Sequence, residues 1–148
     1  MSRNVEAPLV HVVLNRSYAT RRDVIEAIGE VMVASAAVTA AYVDGMLRKE
    51  EQGSTVVTAE VALPHGTRDV KEAVRRNILV VVPIPDGVEW TPGQRVRLAI
   101  GFAGLGDAAH LRLLGGLARV LSDEHLVARL KTATDADDVA LCLREIEL

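Results

Sequence analysis

A neutral imidazole keeps one ring nitrogen free as a nucleophile near pH 7. Four histidines occur here, at positions 11, 65, 110 and 125, and His65 has the most telling neighbours. It stands in Val61-Ala62-Leu63-Pro64-His65-Gly66-Thr67, at the close of an apolar, strand-like run. Pro64 fixes its own φ near −65° and turns Leu63 away from helix. Gly66 lets the chain turn and lets another surface approach. Such a frame holds an imidazole stiffly at a strand end, reachable from outside, where it can attack an electrophile. The same residues also describe an ordinary strand-end turn, and local chemistry leaves both readings open.

A second histidine strengthens the chemical reading. If Asp107 caps a helix, His110 falls in its first turn, where unpaired backbone N–H groups gather at the positive end of the dipole. That setting disfavours imidazolium and favours a nearby dianionic phosphoryl group. A first-turn polar residue facing water is the plainer alternative, and spacing does not show that His110 lies beside His65. Arg48 and Lys49 offer positive charge near the end of a predicted helix, as would any solvated helix face. His11 reads as a strand residue and His125 as a surface residue beside Asp123 and Glu124. The histidines share no metal-clamping spacing, and neither a phosphate-cradling glycine loop nor a pair of catalytic carboxylates stands out. Cys142, the single cysteine, lies on the apolar face of a predicted helix and reads as a small core residue.

The elements that must position these groups alternate along the chain. Leu9 to Leu14, after Pro8, predicts a strand. Thr20 caps a helix carrying Val24, Ile25, Ile28, Val31 and Met32, and a second helix runs from after Thr39 to about Gln52, where Gly53 stops it. Thr55 to Thr58 and Glu60 to Leu63 are short strand-like pieces. Ile78 to Ile84 is a continuous apolar run suited to burial on both faces, ended by Pro83 and Pro85 with a turn at Asp86-Gly87. Val96 to Phe102 follows, closed by Gly101, Gly104 and Gly106. Asp107 opens a helix with Leu111, Leu114, Leu117, Ala118 and Leu121 on one face. Ser122 caps a shorter helix holding Leu126, Val127 and Leu130, and Thr134 caps a last one with Val139, Cys142, Leu143 and Ile146. The pattern predicts one α/β domain over residues 1–148, a mixed sheet flanked by helices.

Composition narrows the function classes. The 148 residues are 49% apolar, which excludes global disorder, and carry a net charge of −3 with 3% aromatics. Neither a phosphate-tracking basic surface nor base-stacking platforms are on offer, so nucleic acid is not an expected partner. The longest apolar run, Ile78 to Pro85, is far short of the roughly 20 residues of a membrane-spanning helix. Glu6 and Pro8 interrupt the region where a signal peptide would be apolar, and the lone cysteine suits a reducing compartment, so a cytoplasmic location is expected.

Taken in order, several segments resemble one known family. They run from Met46-Leu47 through Gly53-Ser54-Thr55 to Ala62-Leu63-Pro64-His65-Gly66-Thr67. Further on come Pro85-Asp86-Gly87-Val88, Leu98 to Phe102, His110-Leu111, Leu121-Ser122-Asp123-Glu124 and Thr132 to Val139. Together they are similar to the enzyme IIA domains of the sugar phosphotransferase system, fructose–mannitol superfamily, and most of all to its mannitol-type branch. Pro-His-Gly alone is a weak signal; the ordered set across nearly the whole chain is specific.

The resemblance implies that His65 is the phosphorylated residue and His110 its active-site neighbour. It implies transfer from the phosphocarrier HPr to His65, then to a cysteine of an enzyme IIB (or IICB) of a mannitol-type, polyol permease. No metal or organic cofactor is implied, and no direct membrane insertion. Family members usually bear an arginine where Lys49 stands here, with Arg48 beside it, so either residue is a candidate to steady the phosphoryl group. Nothing in the sequence resembles a permease or a IIB domain, so a freestanding IIA is expected. A regulatory IIA-like module, whose phosphorylation controls binding to another protein, is the alternative reading.

Overall fold

The computed structural model describes residues 7–144. In chain order the elements are β1 (Leu9–Val12), α1 (Arg21–Ala34), α2 (Ala40–Gln52), β2 (Val56–Thr58) and β3 (Val61–Ala62). A 3₁₀ helix (Arg68–Ala73) follows, then β4 (Ile78–Thr91), β5 (Gln94–Ala103), α3 (Asp107–Leu121), α4 (Glu124–Lys131) and α5 (Ala136–Cys142). The strands form one mixed sheet of order β1-β4-β5-β3-β2. β1 is parallel to β4 and β3 to β5, while β4–β5 and β2–β3 are antiparallel. This is the single α/β domain that the sequence predicts.

Side-chain alternation divides the interior into two layers. Ile78, Val80 and Val82 face α1, α2 and the 3₁₀ helix; Leu79 and Val81 face α3, α4 and α5. All five are fully buried, which is why this run shows no polar alternation. On β5, Leu98, Ile100 and Phe102 point to the second layer, whereas Ala99, Gly101 and Ala103 occupy the first. A Cβ at Gly101 would lie 2.4 Å from Ile28 Cγ2, so the glycine admits α1 onto the sheet and does not end the strand as expected.

Other expectations need correction. Pro83, Pro85 and Asp86-Gly87 do not end β4, which continues to Thr91; its hairpin turn is Pro92-Gly93. β1 pairs with β4 only as far as Val81, so both prolines fall where β4 has one neighbour instead of two. Ile84, Pro85, Asp86 and Gly87 bulge opposite Arg97 alone, with Gly87 at φ 74°.

The helix starts differ as well. Thr20 does cap α1, in a reciprocal capping box with Asp23. α3 does open at Asp107, but Gly106 before it, not Asp107, is the cap residue, without a side-chain cap. Ser122 closes α3 by donating to the Ala118 carbonyl at 2.8 Å, and Asp123 caps α4 through the N–H groups of His125 and Leu126. Asp135, not Thr134, caps α5 through the Asp137 N–H at 2.7 Å. In both places a carboxylate, a stronger acceptor at the positive end of a helix, stands one residue beyond the hydroxyl.

The buried stripe of α3 is Ala109, Leu113, Gly116, Leu117 and Val120, rotated from the predicted one, and Leu111 is 66% exposed. Gly104 explains the rotation. A Cβ there would meet the His110 backbone nitrogen at 2.5 Å, so the start of α3 presses onto the end of β5. Cys142 is buried, as expected. The N-terminal stretch Met1 to Glu6 and Ile146 lie outside the described residues.

Candidate functional site

β3 is short, but its ladder outlasts it. The Leu63 N–H donates to the Thr55 carbonyl at 3.0 Å, and the Phe102 N–H donates to the Pro64 carbonyl at 3.1 Å. His65 is therefore the first residue beyond the ladder, carried on a buried Leu63-Pro64 stem. Its Nδ1 lies 2.8 Å from the Leu63 carbonyl oxygen. A carbonyl only accepts, so Nδ1 carries the hydrogen and Nε2 keeps its lone pair. This backbone contact selects the tautomer and fixes the ring.

The stem is braced from the side by Tyr42 of α2. Its buried hydroxyl donates to the Phe102 carbonyl at 2.8 Å and accepts the Gly66 N–H at 3.0 Å. Burial pushes the phenol pKa up to about 12, so the hydroxyl keeps its proton. A Cβ at Gly66 would sit 2.7 Å from Tyr42 Cε1 and 2.9 Å from Val70 Cγ2. Gly66 is thus required for close approach. One phenol ties the loop after β3 to the end of β5.

Phe102 is the floor on which two imidazoles rest. Its ring centroid is 4.9 Å from His65 and 5.1 Å from His110, and the two histidine rings meet edge-on at 5.5 Å. The fold therefore brings together the two histidines that the sequence left far apart. Both have pKa values held below the usual 6.5, chiefly by burial. For His65 the Leu63 carbonyl opposes the lowering while His110 and Lys49 add to it; for His110, Asp107 opposes it while Lys49 and Arg68 add to it. Burial therefore favours the neutral form of both rings.

An open cleft of about 440 Å³ exposes this pair, lined also by Lys49, Arg68, Lys71 and Asp107. Of the two cations proposed from sequence, Lys49 lines the cleft. Arg48 does not: its guanidinium pairs with Asp69 at 3.0 Å on the exposed side of α2. Tyr42 and Arg68 went unnoticed in the sequence. A hydroxyl on the apolar stripe of α2 hinted at the first, and a cation three residues after His65 at the second. His11 lies on β1 and His125 is exposed at the start of α4, both outside the cleft. Burial raises the Cys142 thiol pKa, which keeps it unreactive. Among the described residues no three His, Cys, Asp or Glu side chains are grouped to hold a metal ion. No helix of the described residues is long and apolar enough to cross a membrane.

Comparison with known proteins bears on the chain's family and fold. The family described as phosphoenolpyruvate-dependent sugar phosphotransferase system, EIIA 2, matches residues 9–146. The chain belongs to this family. Among curated relatives of this IIA component, a mannitol-specific phosphotransferase enzyme IIA component of Staphylococcus aureus is 34% identical over 137 residues, covering 93% of this chain and 94% of its own. The multiphosphoryl transfer protein of Salmonella typhimurium is 38% identical over 123 residues, 83% of this chain. That match covers only 32% of the relative, so the chain spans about a third of its length. Among solved structures, a complex of mannitol enzyme IIA with phosphorylated enzyme IIB from Escherichia coli superposes with a TM-score of 0.83 at 30% identity. It covers 90% of this chain and 94% of that one. The mixed-sheet IIA fold of the mannitol type is therefore the fold of this protein.

Proposed function

We propose that this IIA component carries a phosphoryl group on His65 Nε2, taking it from phospho-HPr and passing it to a IIB domain of a mannitol-type permease. The observation that carries the reading is the Leu63 carbonyl on His65 Nδ1, which leaves Nε2 as the one ring nitrogen with a free lone pair at an open cleft. Attack by that lone pair on phosphorus forms the Nε2–P bond as the donor's N–P bond breaks. The ring then bears a positive charge, and the Nδ1–H bond to Leu63 strengthens as a charge-assisted hydrogen bond. In the second step a IIB thiolate attacks phosphorus, the Nε2–P bond breaks, and His65 returns to its neutral tautomer.

Catalysis at such a centre is positioning and charge compensation. Neutral His110, edge-on to His65, donates a ring N–H toward a phosphoryl oxygen. Lys49 supplies a point charge; Arg48, committed to Asp69, has no part in this proposal. Leu105 and Leu111, 50% and 66% exposed beside the cleft, suit apolar contact with a protein donor and acceptor in turn. The mannitol-specific relative and the mannitol IIA–IIB complex support the choice of permease class. Work in the cytoplasm belongs to the same proposal.

The test is incubation with phosphoenolpyruvate, enzyme I and HPr, read by intact mass. One acid-labile phosphoryl group is expected on the wild type and none on His65→Ala. In His110→Ala, phosphorylation should persist while transfer to IIB slows. A wild type that gains no phosphate from cognate partners would remove the carrier reading.

A further inference from the structure

The cations of the cleft are not arranged like the others nearby. Arg48 is held by Asp69, Arg97 by Glu60, and Arg95 by the carbonyls of Asp86 and Gly87. Arg68, which opens the 3₁₀ helix at the cleft wall, makes no hydrogen bond or ion pair with any described residue. It lies three residues beyond His65, so their Cα atoms are at most about 11 Å apart, and a long side chain bridges much of that span. Val70, buried and pressed on Gly45 of α2, anchors this wall beside the helix that carries Lys49.

We propose that Arg68 is the guanidinium that grips the phosphoryl group on His65, two oxygens at a time, beside the point charge of Lys49. The proposal rests on the carrier reading and adds to it a residue that the sequence did not single out. A phosphoryl group in flight spreads charge over three equatorial oxygens. Lysine meets that charge from one direction, whereas the planar guanidinium fork matches two oxygens at once. Among the cleft cations Arg68 is the guanidinium; Lys49 and Lys71 are ammonium groups. Lys71 also borders a second hollow with Glu72 and Leu105. Arg68 perturbs His110, so its charge reaches the inner wall of the cleft.

Phosphorylation of His65 should be timed with two donors: phospho-HPr, and phosphoramidate, which requires no protein contact. Signal remaining in His65→Ala is subtracted as background. Arg68→Ala should slow both reactions by roughly 10- to 100-fold, and Arg68→Lys should recover only part of the loss. Unchanged denaturation midpoints would show that these exposed-site variants fold. Wild-type rates with both donors in Arg68→Ala would overturn the proposal. So would a defect confined to phospho-HPr, which would make Arg68 a docking residue, or complete rescue by lysine, which would remove the fork. A wild type that accepts phosphate from neither donor would sink the carrier reading itself, a result distinct from these.

Discussion

Two segments of this chain are nearly the same in sequence and opposite in use. Leu63-Pro64-His65-Gly66 and Ile84-Pro85-Asp86-Gly87 both place an apolar residue and a proline before a polar residue and a glycine. The first ends its ladder and lifts an imidazole into a cleft; the second bulges within a strand that carries on to Thr91. Their neighbours decide the outcome. Around Gly87, Arg95 and Arg97 bond the carbonyls of Pro85, Asp86 and Gly87, so the bulge is stapled to its own hairpin. Around Gly66, a buried phenol takes the backbone N–H and packs on the Cα, so the loop is braced by another layer. The glycines also differ: both make room for a neighbouring side chain, but only Gly87 adopts a left-handed φ, of 74°.

Matched substitutions should break this symmetry most visibly. Gly66→Ala drives a Cβ into Tyr42 and Val70, with an expected loss of about 1–3 kcal/mol from overpacking and phosphoryl transfer slowed by about tenfold or more as the stem shifts. Gly87→Ala strains a left-handed residue at about 1–2 kcal/mol, yet should transfer at the wild-type rate. Chemical denaturation and transfer kinetics on both variants check the pair; equal kinetic damage would contradict the division of roles. Next in size, Tyr42→Phe leaves the Gly66 N–H and Phe102 carbonyl without their shared partner, for about 1–3 kcal/mol of stability. Its transfer rate should fall several-fold, less than for Gly66→Ala.

The comparison also shows what sequence can carry. The doubly buried β4 run and the Thr20 cap were legible because one hydropathy pattern and one local hydrogen-bond pattern specify them. The place of His65 at a strand end was legible because proline and glycine mark it, whereas its nearness to His110 came only from the family resemblance. Asp86-Gly87 was misread as a turn because the arginines that hold the bulge come from the neighbouring strand. The phase of α3 was misread because Gly104 and Gly116, not large apolar residues, set how the helix lies on the sheet. Arg68 went unseen because its 3₁₀ helix has no periodic signature and forms where Val70 and Ala73 find cover.

Titration offers a gentler perturbation. His65 and His110 are held neutral by burial, with folded pKa values below the usual 6.5. The unfolded chain therefore binds more protons between those values, so their contribution to stability is present above 6.5 and is lost as pH falls. Denaturation midpoints against pH should show that loss, and the acid limb of phosphoryl acceptance should lie below 6.5. Lys49→Met should raise the His65 pKa, measured by NMR, because one nearby positive charge is gone. The smallest effect belongs to Arg48→Ala. Its partner Asp69 is outside the cleft, so both transfer rate and midpoint should stay at wild-type values; a slowed transfer would return Arg48 to the phosphoryl site.

The account turns on which nitrogen of His65 bears phosphorus, and long-range ¹H–¹⁵N correlation NMR of the phosphorylated protein reads this directly. Phosphorus coupled to Nε2, with the hydrogen retained on Nδ1, is the predicted spectrum. Phosphorus on Nδ1, or on any residue other than His65, would contradict the arrangement that the Leu63 carbonyl enforces.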